Sequence, residues 1–217
     1  MNTAPRFTHL LFLVLLLPLS QVCAGDMSSD IAELQGEWAR IKYQSSPSEQ
    51  KQQYEALAAK AEAVTARYPQ KAEPLIWEGI ILSTWAGTKG GLGALSLVKA
   101  SRDRLQQALE IDPASLDGSA YTSLGTLYYK VPGWPIGFGD TDKAETLLKQ
   151  ALDINPDGID PNFFYGEFLY EEGRYSESVA VLNHALQAPP RPSRPLADAG
   201  RKAEIEQLLT AARKHLD

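Results

Sequence analysis

The sequence predicts an all-α protein built as a solenoid of helical hairpins with inserted loops and a C-terminal capping helix. Three observations carry that reading. Four stretches share one pattern: AAKAEAVTARYP ending at Pro69, SRDRLQQALEIDP at Pro113, AETLLKQALDINP at Pro156 and SVAVLNHALQAPP at Pro190. Three glycines, Gly79, Gly125 and Gly166, each lie inside an apolar, aromatic run. The last unit repeats at 34 residues, from Ala151 to Ala185.

In chain order, MNTAPRFTHLLFLVLLLPLSQVCAGD comes first. Arg6 supplies a positive start, Leu10 to Leu19 an apolar stretch, and Val22-Cys23-Ala24 small residues before a cut. Those parts, in that order, make residues 1–24 a secretory signal peptide in form, cleaved near Ala24. The apolar stretch is well short of the about 20 residues of a spanning helix. Residues 25–217 then form one domain, located by that signal in the periplasm. Cys23 is the sole cysteine, so the mature chain has no thiol or disulfide chemistry. Loss of Arg6 takes the net charge from −6 to −7. Such acidity argues against nucleic acid or an anionic membrane surface as partner.

The first unit, about 30–69, opens with Ile31, Leu34, Trp38 and Ile41 at helical spacing. Its second helix starts at SSPSE, with Ser46 as cap, Pro47 in the first turn and Glu49 three residues on. The next units cover about 72–113, 118–156 and 159–190. Val64, Ala108, Ala151 and Ala185 stand five residues before each proline, and Ala61, Leu105, Leu148 and Leu182 eight before. That spacing gathers small and apolar residues on one helical face, and the proline stops the helix. A glycine inside a helix costs about 1 kcal/mol relative to alanine, so Gly79, Gly125 and Gly166 predict close helix contacts. APPRPSRP (188–195) reads as a stiff connector to the last helix, with partner recruitment by exposed polyproline as the alternative. Ile205, Leu208, Leu209 and Ala212 then form the apolar stripe of a capping helix at about 195–215, with RK and RKH on its polar side.

The units differ in length between glycine and proline. Gly166 to Pro190 spans 24 residues, Gly125 to Pro156 spans 31, and Gly79 to Pro113 spans 34. The surplus of seven and then ten residues falls within KVPGWPIGFGD (130–140) and AGTKGGLGALSL (86–97). Stacked repeats carry equivalent turns to one edge, so both insertions are expected to border one mouth. The first in the chain reads as flexible and glycine-rich. The second is stiffened by Pro132 and Pro135, and its Trp134 and Phe138 either form a rim or tuck back onto their own helices.

Chemical signals are weak by comparison. DINPDGID (153–160) opens like a calcium loop, but position twelve is Phe164 instead of glutamate, and Pro156 sits inside it. The glycines at 87–93 follow an apolar helix and precede no Gly-Lys-Ser/Thr, so they make no phosphate loop. His184 and His215 stand 31 residues apart with no cysteine to join them. Glu171-Glu172 reads as a solvated face. No catalytic constellation emerges; no enzyme activity, cofactor or metal is expected.

The 34-residue period and its alanine-glycine-proline pattern resemble the tetratricopeptide repeat. PGWPIGFGD, NPDGIDPNFFYGEFL and RPLADAGRKAEI further resemble the TatT-like periplasmic components of tripartite (TRAP) transporters, over roughly 72–213. There is also some likeness to the regulators of microtubule dynamics. The resemblance implies a partner groove lined by the first helix of each pair: Ile76 and Ile80, then Thr122, Thr126 and Tyr129, then Phe163, Glu167 and Tyr170. It implies an exported, non-catalytic scaffold whose partner is a protein, such as a solute-binding protein. The alternative is a carrier enclosing a small apolar or amphipathic ligand. The sequence leaves the oligomeric state open.

Overall fold

A computed structural model describes residues 26–216, which contain nine helices. The signal peptide expected at 1–24 lies outside the described residues. The helices are α1 (Met27–Gln44), α2 (Pro47–Arg67), α3 (Ala72–Lys89), α4 (Gly91–Ile111), α5 (Ser115–Lys130), α6 (Thr141–Ile154), α7 (Ile159–Glu171), α8 (Tyr175–Ala185) and α9 (Pro195–Arg213). They pair in order as four hairpins, α1–α2, α3–α4, α5–α6 and α7–α8, followed by α9. This is an all-α helical-hairpin solenoid. None of the helices described is long and apolar enough to cross a membrane.

The predicted small-residue face is the hairpin interface. Ala61, Leu105, Leu148, Leu182, Ala108, Ala151 and Ala185 are fully buried and Val64 nearly so. Each marker glycine meets its partner helix at an equivalent leucine. A methyl at Gly79 would lie 2.7 Å from Leu105 Cγ, at Gly125 2.8 Å from Leu148 Cγ, and at Gly166 2.7 Å from Leu182. Four residues before two of those leucines a serine hydroxyl donates to the glycine carbonyl, Ser101 to Gly79 and Ser178 to Gly166, both at 2.7 Å. The middle hairpin has Ala144 there, which is also fully buried. The glycines let the backbones touch, and the contact offsets their poor helix propensity. At the head of α2, Pro47 occupies the first turn and Glu49 accepts from the Ser46 N–H at 3.1 Å.

The two insertions take different forms. The segment 86–97 is helical rather than a flexible loop: it lengthens α3 and α4, which meet at Gly90 and Gly91 with φ of +63° and +61°. Left-handed backbone at two successive residues is what glycine permits, and it lets the chain reverse without a loop. The segment 131–140 is a loop tied to itself. Gly139 N–H donates to Pro132 O at 3.0 Å and Asp140 N–H to Tyr128 O at 2.9 Å. Gly137 and Gly139 lie against the backbone of Val131 and Pro132 with no room for a side chain.

The last helix does more than cap. It packs on α8 and α7 and also reaches α1. Ile205 and Leu209 close the core of the last hairpin, while Ala197 joins the core of the first. The first and last helices therefore touch, and the stack closes on itself.

Candidate functional site

The stack forms an open-mouthed cavity of about 810 Å³. The first helices of the pairs supply its floor, through Trp38 of α1, Trp77 and Ile80 of α3, Thr122 and Thr126 of α5, and Phe164 of α7. Both inserted segments line it as well: Gly91, Ala94 and Leu95 from one, Pro132 and Ile136 from the other. They are neighbours at one mouth, as the stacking of repeats requires.

One wall is charged. Arg201 of α9, only 4% exposed, donates from Nε to Asp160 at 2.8 Å and from Nη1 to Glu204 at 2.7 Å. Its guanidinium also lies 4.3 Å from the Phe163 ring and 4.6 Å from that of Phe164. Asp160, at the start of α7, accepts a further bond from Arg191 at 2.6 Å, and Arg191 is held in turn by Asp198 at 2.7 Å. Glu204 receives Lys42 at 2.9 Å and the Tyr43 hydroxyl at 3.2 Å. The network thus ties α1, α7 and α9 together through half-buried ion pairs around the buried Arg201. Burial pushes the Asp160 carboxyl up, but Arg201 and Arg191 outweigh it and hold the group far below its usual range. Burial lowers the Lys42 ammonium and nearby Arg201 adds to this, with Glu204 opposing them.

Arg194 lines the same wall but joins no ion pair among the described residues. Its guanidinium lies 5.2 Å from the Trp77 ring, and its enclosed Nε has no hydrogen-bond partner. Burial depresses its pKa, and Asp160 only partly opposes that.

The structure divides the groove residues expected from the sequence. Ile80, Thr122 and Thr126 line the cavity. Ile76 does not: it is fully buried in the core formed with α4, α5 and α6, because it lies on the flank of α3 that packs into the stack. Phe163 is likewise buried, in the core shared with α8 and α9, under the Arg201 guanidinium. Tyr129 and Glu167 bind each other at 2.6 Å, with Lys130 completing the group at 3.1 Å from Glu167. Burial first, then Glu167, drives the Tyr129 hydroxyl pKa upward, and this pair fastens α5 to α7 instead of facing the cavity. Tyr170 packs against Tyr175 and His215 near the C-terminal end. Phe138 tucks back onto Tyr128, ring centroids 5.4 Å apart, beneath the Arg102 guanidinium. Trp134 stands 90% exposed beside the mouth.

Sequence reasoning missed the charged wall. The helical stripe of α9 puts Arg201 on its polar side, yet the residue is buried, because Asp160 and Glu204 supply its counter-charges. Arg191 and Arg194 lie in a segment that reads as a connector or a partner-recruiting polyproline run, not as part of a charged wall. The one available signal is two arginines placed between prolines, in a stretch whose backbone they do not need to hold.

Residues 136–197 match the family model of the tetratricopeptide repeat. The matched stretch contains α6, α7 and α8, including the one unit free of insertions. No curated protein matches the sequence. Among solved structures the chain is similar to MamA, at 15% identity over 76% of this chain and 90% of that one, with a TM-score of 0.45. It is similar also to MamA MSR-1, at 18% identity over 87% and 95%, TM-score 0.44. A third is TTC0263, a thermophilic TPR protein of Thermus thermophilus, at 18% identity over 84% and 100%, TM-score 0.42. No residue is carried over from them.

Proposed function

We propose that this chain is a protein-interaction module without a catalytic role, gripping an apolar segment of a partner protein at the mouth of the closed stack. The observation that carries this reading is the pair Trp134 and Ile136, 90% and 66% exposed, on a loop that its own hydrogen bonds hold in place. Large apolar side chains in water are unfavourable, and when a rigid loop presents them together they mark a contact surface. A preformed loop also lowers the ordering cost of binding.

The finer form of the reading places the module in the periplasm as an accessory of a transport system, holding a solute-binding protein. Its support is the signal-like N-terminus and the resemblance of PGWPIGFGD and its neighbours to the TatT-like proteins. The test is capture of one exported protein by the immobilised chain. Trp134→Ala and Ile136→Ser are expected to weaken capture at least about tenfold, a normal loss for an aromatic anchor. Ile111→Ser, at another exposed apolar position, is expected to leave it unchanged. Equal capture by all variants refutes the reading.

A second reading, a carrier of a small amphipathic ligand, is favoured by the cavity itself. Its about 810 Å³ falls within the range of small-molecule sites, and its walls are largely apolar with a limited number of polar groups.

A further inference from the structure

Four cations, Lys42, Arg191, Arg194 and Arg201, share the charged wall with three carboxylates, Asp160, Asp198 and Glu204. Among the described residues, every one of these groups except Arg194 is in an ion pair. The wall therefore holds one positive charge more than it balances, and that charge belongs to Arg194. Arg194 is half-buried without an ion-pair partner, and resting on the Trp77 ring offsets only part of the cost of withdrawing its charge from water. Beside it, the indole N–H of Trp77 is enclosed without an acceptor. Trp77 is 3% exposed and lines the same cavity. Two neighbouring donors therefore stand without acceptors. Away from this wall the cavity is bounded by the apolar Ala94, Leu95, Val98 and Ile136 and by Lys130, whose charge is already met by Glu167 and Glu171.

We propose that the cavity binds an amphipathic monocarboxylate, its carboxylate on Arg194 and its apolar tail along the wall formed by the inserted segments. This rests on the carrier reading of the cavity; it shares Ile136 with the capture surface, and Trp134, which does not line the cavity, separates the two. The planar guanidinium matches a carboxylate in two parallel hydrogen bonds, which a neutral headgroup cannot reproduce. The surplus is one charge, so one negative charge restores balance. A dianion would overshoot it and would face Asp160, whose own carboxylate lines the cavity. The tail supplies what an inorganic anion lacks, apolar surface to cover the inserted-segment wall.

Titration calorimetry with decanoate and decanol tests this directly. Decanoate is expected to bind at least about tenfold tighter than decanol, the difference a charge-assisted pair makes in a shielded site. Arg194→Ala is expected to bring decanoate down to the affinity of decanol, and Arg194→Lys to restore part of the loss. Leu95→Glu is expected to remove binding of both. Trp134→Ala should leave decanoate affinity within about twofold of the parent, since that side chain does not line the cavity. Equal binding of decanoate and decanol, or an Arg194→Ala protein that keeps full decanoate affinity with a native circular dichroism spectrum, overturns the proposal. Failure of both ligands to bind also overturns it, while intact capture of a protein partner through Trp134 would leave the interaction reading standing.

Discussion

Gly200 of α9 lies flat against the ring of Tyr43 of α1, with no room for a side chain between them. The contact joins the last helix to the first and closes the stack around the cavity's charged wall. Tyr43 has little freedom to yield, because its hydroxyl is bound to Glu204 and its ring packs edge-on to Trp38 at 6.0 Å. Gly200→Leu is therefore expected to cost about 1–3 kcal/mol by overpacking. Urea denaturation measures this, and an unchanged midpoint would mean that α9 does not bear on α1 in solution.

The marker glycines predict a sign reversal. Glycine-to-alanine changes inside helices ordinarily gain about 0.5–1 kcal/mol. Gly36 in α1 has no atom near its missing Cβ, so Gly36→Ala should show that gain. At Gly79 and Gly166 the new methyl would press on Leu105 and Leu182, both fully buried. These two changes should instead destabilise by about 1–3 kcal/mol. Thermal melts of the three variants read the contrast.

Acid should loosen the closure. Asp160 has its carboxyl held below the ordinary value of 3.8, so its ion pairs contribute fully above that pH and are lost as the pH falls through the depressed value. Glu145, half-buried, hydrogen-bonded by Arg174 and Lys149 and held at about 2 against an ordinary 4.5, adds a further loss between those two values. Stability measured against pH should thus decline below about pH 4.5. Asp160→Asn should cost about 1–3 kcal/mol near neutral pH, because Arg191 and Arg201 lose their shared counter-charge and keep only Asp198 and Glu204, and should flatten the acid limb.

Trp134 separates binding from folding. With its side chain almost wholly in water, Trp134→Ala should change stability by no more than about 0.5 kcal/mol. A partner-capture defect in this variant with an unshifted melting curve would locate the defect at the contact. A large drop in melting temperature would instead show that the loop needs Trp134 to fold.

The hairpin stack was legible in the residues because its causes are local. Proline stops a helix, alanine and leucine five and eight residues earlier select a face, and a glycine opposite a leucine admits close contact; each works within one or two turns. Ile80, Thr122 and Thr126, which the resemblance to the tetratricopeptide repeat places on the groove, line the cavity. Phase did not separate Ile76, Phe163 and Tyr129 from them, because a helix between two neighbours buries more than half its circumference, and only the packing shows which flank each neighbour takes. The helical form of the segment 86–97 escaped notice because glycines there look like loop, whereas only Gly90 and Gly91 serve the turn. What the tertiary structure alone decided is the meeting of Tyr43 with Gly200 and of Arg201 with Asp160, across 157 and 41 residues of chain. Ion pairing and closure depend on the accumulated curvature of four hairpins, and curvature is a sum over every interface that no single stretch of sequence carries.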